Sequence, residues 1–239
     1  QVLREIFERL QYLRGLDKRR NEIESALQEQ GNLTDELSAK LAAASTLAEL
    51  EDLYRPFRPK RRTRATIAKE KGLEPLALQL LMQNEKKKTA EQVAEAFIQP
   101  DKGVETAEDA LQGARDILAE QFSDYADARK KLRELAFRTG VLESKKAKDK
   151  DSVYSMYYDF SQEVRNLPGH RILAVNRGER EEFLKVTIRM EEAASVGILE
   201  RAFVREGSTT TQQVKAACQD AWERLIEPSL EREVRAELT

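Results

Sequence analysis

With 239 residues, of which 40% are apolar and 35% charged, the chain can bury one or two respectable cores. Its 41 cations and 43 carboxylates leave a formal charge of −2, so no global field draws it onto nucleic acid and any such attraction has to be local. A single cysteine excludes an intramolecular disulfide, and no apolar run approaches the roughly 18 residues of a membrane span, which together predict a cytoplasmic chain.

The predicted elements are mostly helices with clear punctuation. Val2, Leu3, Ile6, Phe7, Leu10, Leu13, Leu16, Ile23 and Leu27 keep a helical period and predict one long helix, stopped at Gly31-Asn32. Thr34 ahead of Asp35 and Glu36 opens a second helix, and Thr46 with Glu49 reads as a capping box for a third. This helical hairpin leads into a turn that packs two prolines and two aromatics among many cations. Pro56 and Pro59 are spaced for a stiff, polyproline-like conformation. Such a turn would hold Arg58, Lys60, Arg61, Arg62 and Arg64, with Arg55 just ahead, as a fixed cluster. The cluster suits phosphates and suits an acidic protein surface equally well. Arg55, Arg58, Lys60, Arg61, Arg62 and Arg64 are therefore the candidate nucleic-acid-binding residues.

Beyond the turn, Ile67-Ala68 and Gly72-Leu73 fit helix-turn-helix spacing, with Pro75 starting the second helix at its first position. That second helix carries Leu76, Ala77, Leu78, Leu80, Leu81 and Met82, a composition for a core helix and not for reading base edges. Thr89 with Gln92 and Thr106 with Asp109 start further helices, and Ser123 is expected to start one that ends near Gly140. Asp101-Lys102-Gly103-Val104 lacks the ligands of a calcium loop and the glycines of a phosphate cradle, which leaves a plain turn.

Between residues 140 and 190 the pattern changes. Val141 to Ser144 and the alternating Phe183 to Arg189 predict strands of a small sheet, with Ser144 to Asp151 as a lysine-rich mobile loop. Tyr154, Tyr157, Tyr158 and Phe160 are available to stack on unpaired bases, but their spacing favours a packing face on a helix. Arg171 and Arg177 read as pins for the helix that begins near His170, and Asn176 to Glu179 as a turn into the last strand. Thr210 with Gln213 starts a C-terminal helix whose stripe of Val214, Ala217, Cys218, Ala221, Trp222 and Leu225 is apolar. Pro228 either kinks it or begins the next helix, in which Glu231 and Arg235 form an i, i+4 pair.

Four groups of residues resemble the bacterial transcription accessory proteins of the Tex family. Leu50 to Tyr54, Pro56 to Ala68 and Gly72 to Ala77 make up the first. Asp101 to Val104 with Gly113 to Glu120 form the second, and His170 to Ala174 with Arg177 to Glu179, then Pro228 to Glu231 with Arg235, complete the series. The resemblance implies a large multidomain nucleic-acid-binding protein, related to a eukaryotic elongation factor that also acts as a histone chaperone. It implies as well that the resolvase-like domain, the helix-hairpin-helix elements and the S1 domain follow Thr239. The chain opens inside an amphipathic pattern at Gln1 and closes without a stop signal, which fits the helical N-terminal part of such a protein.

No catalytic constellation emerges. His170 has no partner nucleophile, acid or metal ligand in its vicinity, Cys218 lies on an apolar stripe, and the carboxylate pairs Glu181-Glu182 and Glu191-Glu192 lie in charge-rich, solvated sequence. The expectation is a non-enzyme with no cofactor and no metal. It is mainly α, a multi-helix assembly with helix-turn-helix-like elements and a small β element. Residues 1–140 form a helical region with its basic turn at 54–66, residues 141–190 a mixed segment, and residues 191–239 helices leading toward the absent resolvase-like domain. Two functions compete: a scaffold whose basic turn contacts DNA or RNA, and a docking module for the transcription machinery.

Overall fold

The computed structural model describes residues 2–150 and 152–239 and is mainly helical with one small sheet. It divides into two compact units, Gln1–Arg62 with Asp124–Asp127, and Thr63–Ser123 with Ala128–Thr239.

The first unit contains α1 (Val2–Glu29), α2 (Asp35–Ala43) and α3 (Leu47–Tyr54). The long first helix ends where Gly31 takes φ of 71°, a left-handed conformation that glycine adopts without steric cost. Thr34 and Thr46 cap the next two helices by accepting from the amides of Leu37 and Glu49. The expected box at Thr46 is only half made, because the Glu49 carboxylate reaches back to the Ser45 amide and hydroxyl. Leu16, Ile23, Leu27, Leu41, Ala44 and Leu50 form the core. Only the C-terminal part of the α1 stripe is buried. Leu3, Ile6, Phe7, Leu10 and Leu13 are at least 40% exposed, so the apolar period predicts the helix correctly but not its coverage.

The second unit begins with α4 (Arg64–Glu70), α5 (Glu74–Met82) and α6 (Ala90–Ala94). A turn at Gly72, φ 79°, joins the first two, and α5 buries Leu76, Ala77 and Leu80 while Leu78 and Met82 remain exposed. Thr89 and Gln92 make a complete capping box, and Pro100–Lys102 is a short 3-10 turn closed by a left-handed Gly103. α7 (Ala107–Ser123) is the central helix, packed against α4, α5 and α6. Ser123 ends α7 and does not begin the next helix: its hydroxyl is used to donate back to the Glu120 carbonyl. α8 (Ala126–Thr139) follows, reaching the sheet at Gly140.

The sheet comprises β1 (Val141–Lys146), β2 (Asp159–Glu163) and, after α9 (Gly169–Arg180), β3 (Leu184–Arg189). All pairing is antiparallel in the order β2-β1-β3, with Leu142 opposite Gln162 on one side and Ile188 on the other. The four aromatics do not share a helix. Tyr154 precedes a 3-10 turn, Tyr157 is its last residue, and both are buried, whereas Tyr158 and Phe160 are partly buried as the chain enters β2. Asn176 to Glu179 remain helical, and the turn into β3 comes later, at Glu182, φ 60°. α10 (Glu192–Phe203), α11 (Thr211–Asp220) and α12 (Glu227–Glu237) complete the unit. Between the last two, Ala221–Ile226 is a π-helical segment that runs into Pro228, the proline in the first turn of α12. Thr210 does not cap α11 with its side chain; the hydroxyl donates to the Leu80 carbonyl. The expected Glu231–Arg235 pair is replaced, as Arg235 binds Glu179 and Glu231 accepts from the Ile188 amide. The longer reach wins because it satisfies a strand-edge amide that a local pair would leave unmatched.

Candidate nucleic-acid interface

The basic turn begins as a tightened continuation of α3. Arg55–Phe57 form a 3-10 turn with Pro56 inside it, so the polyproline-like geometry expected from Pro56 and Pro59 starts only at Arg58, with φ −65° and ψ 133°. A proline near a helix start costs no intrahelical hydrogen bond, which explains why Pro56 extends the helix end and does not break it.

Glu51 on α3 organises the turn. Its carboxylate accepts from Arg19 Nε at 2.6 Å and also from Arg58. Hydrogen bonding to Glu51 holds the Arg19 guanidinium well above its ordinary value. The Tyr54 ring lies beneath both guanidinium groups, with centroid distances of 5.8 Å to Arg19 and 5.6 Å to Arg58. Lys60 is paired with Asp124, a largely buried carboxylate of the same unit. Arg55 is partly buried, Arg62 is exposed but partnered, and Arg61 is exposed with no side-chain partner among the described residues.

Arg64 departs from the group. It is the first residue of α4 and belongs to the second unit, where it lines a shallow cleft with Ile67, Lys71, Asp109, Gln112 and Asp116. Burial pushes the Asp116 carboxyl above its usual range, while the charges of Arg224 and Arg64 act in the opposite direction. Of the six predicted cations, Arg55, Arg58, Lys60, Arg61 and Arg62 thus belong to the first unit and Arg64 to the second. Arg58 and Lys60 are matched to carboxylates. Sequence reasoning missed both partners. Glu51 had a signal, seven residues before Arg58 on a predicted helix, whereas Asp124 lies 64 residues from Lys60 and had none.

Other candidate groups are spread across the second unit. His170 is exposed in the first turn of α9, and Arg171 donates to Gln162 at 2.6 Å with its guanidinium over Phe160. Arg177 pairs with Glu181, four residues along the chain. Cys218 is fully buried, and burial pushes its thiol up to about 12, which suppresses the thiolate. Among the described residues, no group of three or more His, Cys, Asp or Glu is placed to hold a metal, and no helix is long and apolar enough to cross a membrane.

Residues 85–239 match the family model described as Tex central region-like. The uncharacterized protein YdcI of Bacillus subtilis is 40% identical over 239 residues, covering 98% of this chain and 33% of that protein. The protein tex of Bordetella pertussis is 42% identical over 193 residues, or 80% of this chain and 24% of its own length. The human S1 RNA-binding domain-containing protein 1 is 29% identical over 257 residues, covering 99% of this chain and 25% of that protein. The chain thus spans a third or less of the length of these relatives. A family model that matches the second unit from Glu85 to its end, together with this identity across nearly the whole sequence, shows that the chain belongs to the Tex family.

Proposed function

We propose that this chain is a non-catalytic helical scaffold of a cytoplasmic transcription accessory protein that binds nucleic acid, and that its basic turn holds the first unit together more than it grips phosphate. The pairing of Arg58 with Glu51 and of Lys60 with Asp124 carries this reading. A cation already matched to a carboxylate must leave an anion unpaired in order to reach a phosphate, and that exchange gains little. Arg61 and Arg64 are the cations of the predicted set best disposed to bind phosphate. The S1 RNA-binding domain in the human relative's name supports RNA as a nucleic acid taken by the intact protein.

Replacing Arg58, Lys60, Arg61 and Arg62 together by Ser tests the assignment. Loss of the carboxylate pairs is expected to cost about 1–3 kcal/mol. The melting temperature should accordingly fall by roughly 2–10 °C. The slope of log affinity against log salt should become shallower by no more than about 0.9, the share of a single phosphate, through Arg61. An unchanged melting temperature with a slope shallower by two units or more would make the turn a phosphate grip instead.

A docking role toward the transcription machinery is the second reading. The exposed Leu3, Ile6, Phe7 and Leu10 of α1 favour it, since an apolar stripe of this kind suits a protein surface and offers nothing to phosphates.

A further inference from the structure

We infer that the second unit carries a separate phosphate-binding surface, built where residues 83–89, between α5 and α6, are fastened to residues 203–211, which run from the end of α10 to the start of α11. The inference rests on the nucleic-acid reading above and adds to it a surface outside the basic turn.

The fastening is extensive. Gln83, in a left-handed conformation with φ of 50°, donates from Nε2 to the Phe203 carbonyl at 2.8 Å and accepts from the Arg205 amide at 2.7 Å. The Glu85 carbonyl accepts from the Thr209 amide at 3.0 Å and the Ser208 hydroxyl at 2.9 Å. The Thr209 hydroxyl donates to the Lys88 carbonyl at 2.6 Å. Both ends of the loop are thereby held on one neighbouring segment.

Glu85 fixes the interior. Its Oε1 accepts from the amides of Lys86, Lys87 and Lys88 at 2.9, 2.8 and 3.1 Å. Three amides converging on one oxygen form an anion nest, and here the chain fills it with its own carboxylate. The amides of Lys87 and Lys88 hold that carboxyl below its ordinary range, so it stays ionised at neutral pH and the nest stays filled.

Three consecutive lysines are the result, all exposed on a backbone whose amides are already committed. Arg205 is exposed on the loop to which they are fastened. Among the described residues, none of these four cations has a carboxylate within ion-pair distance. Glu206, the acid next to Arg205, is paired with Lys215 at 2.7 Å, and Glu91 is exposed in the first turn of α6. Lysine ammoniums are point charges that neutralise phosphates without reading base edges, and no aromatic side chain interrupts residues 83–89. The expected ligand is the sugar-phosphate backbone of a nucleic acid, taken without sequence preference.

Fluorescence anisotropy of the 239-residue chain with a labelled single strand and with its duplex, across a salt series, tests this. Replacing Lys86, Lys87 and Lys88 by Ser should weaken binding by about tenfold to a few hundredfold near 0.1 M salt. It should also make the salt slope on the duplex shallower by about 0.9 for each phosphate no longer neutralised. Replacing the same three by Arg should keep both the affinity and the slope. Glu85→Ala raises the net positive charge of the loop by one but empties the nest, and it should still weaken binding. Circular dichroism serves to confirm that each variant remains folded. If the wild-type chain binds and the Ser variant matches it in affinity and slope, this surface is overturned while the nucleic-acid reading stands. If the wild-type chain binds neither oligonucleotide, this surface falls, while the nucleic-acid reading, which concerns the intact protein, stands. Tighter binding by Glu85→Ala would overturn the pre-ordered nest, and equal competition by polyglutamate at matched charge would make the loop a dock for acidic protein.

Discussion

Arg129 shows how a single residue can depend on a partner far away in sequence. Its side chain is 1% exposed, and its guanidinium donates to Glu233 at 2.7 Å, to the Ser229 hydroxyl at 3.1 Å and to the Ser123 carbonyl at 3.3 Å. Arg133 reaches the other Glu233 oxygen at 2.9 Å. Burial alone would raise the Glu233 carboxyl, but the charges of Arg129 and Arg133 outweigh it and hold the group below its ordinary range. Because the folded value is depressed, the stabilisation is fully present above the ordinary glutamate range and disappears as pH falls through the folded value. Glu233→Gln removes a carboxylate charge from a buried guanidinium and should cost about 3–5 kcal/mol at neutral pH. Urea melts should show the gap between wild type and variant closing below about pH 4. A gap independent of pH would mean that packing, not charge, sets the cost.

Elements were legible in the sequence wherever the signal was local. The stop at Gly31, the caps at Thr34 and Thr89, and the alternation of β3 all depend on residues within a few positions of one another. Three of the failures share one cause, a polar side chain drawn away by a distant partner: Thr210 to Leu80, Arg235 to Glu179, and Lys60 to Asp124. Nothing in the spacing of the cations of the basic turn reveals which carboxylates the fold delivers to them. Gly113 shows distance acting on an apolar neighbour. A Cβ there would sit 2.3 Å from Leu73 Cδ1 and 3.3 Å from the Ala68 methyl, and Leu73 is only 1% exposed. Gly113→Ala improves helix propensity by about 1 kcal/mol. Forcing Leu73 from its site should cost about 1–3 kcal/mol and outweigh that gain. Thermal melting should therefore fall or stay level, whereas a rise of several degrees would show that α5 yields freely to α7.

At the scale of the whole molecule, two sets of buried residues support two units, and no buried residue is shared between them. The first core is small, six residues around Leu27 and Leu41, while the second extends from Ala65 to Val234 and contains the fully buried Phe122 and Trp222. A small core offers less apolar burial against the chain entropy it must overcome, so the first unit should open more readily. Substitutions in the two cores should then act separately. Leu27→Ala removes a side chain with 0% exposure and should cost about 2–5 kcal/mol. Hydrogen exchange should show amide protection falling across α1 to α3 while α7 and the sheet keep theirs. Trp222→Ala should cost about 3–5 kcal/mol and reverse the pattern, loosening α11 and α12 while α1 to α3 stay protected. The indole nitrogen of Trp222 is buried without a hydrogen-bond partner, so its removal forfeits packing and no polar interaction, and the loss should follow the cavity it leaves. If either substitution strips protection from both units together, the chain unfolds as one cooperative body and the separation of its cores has no thermodynamic counterpart.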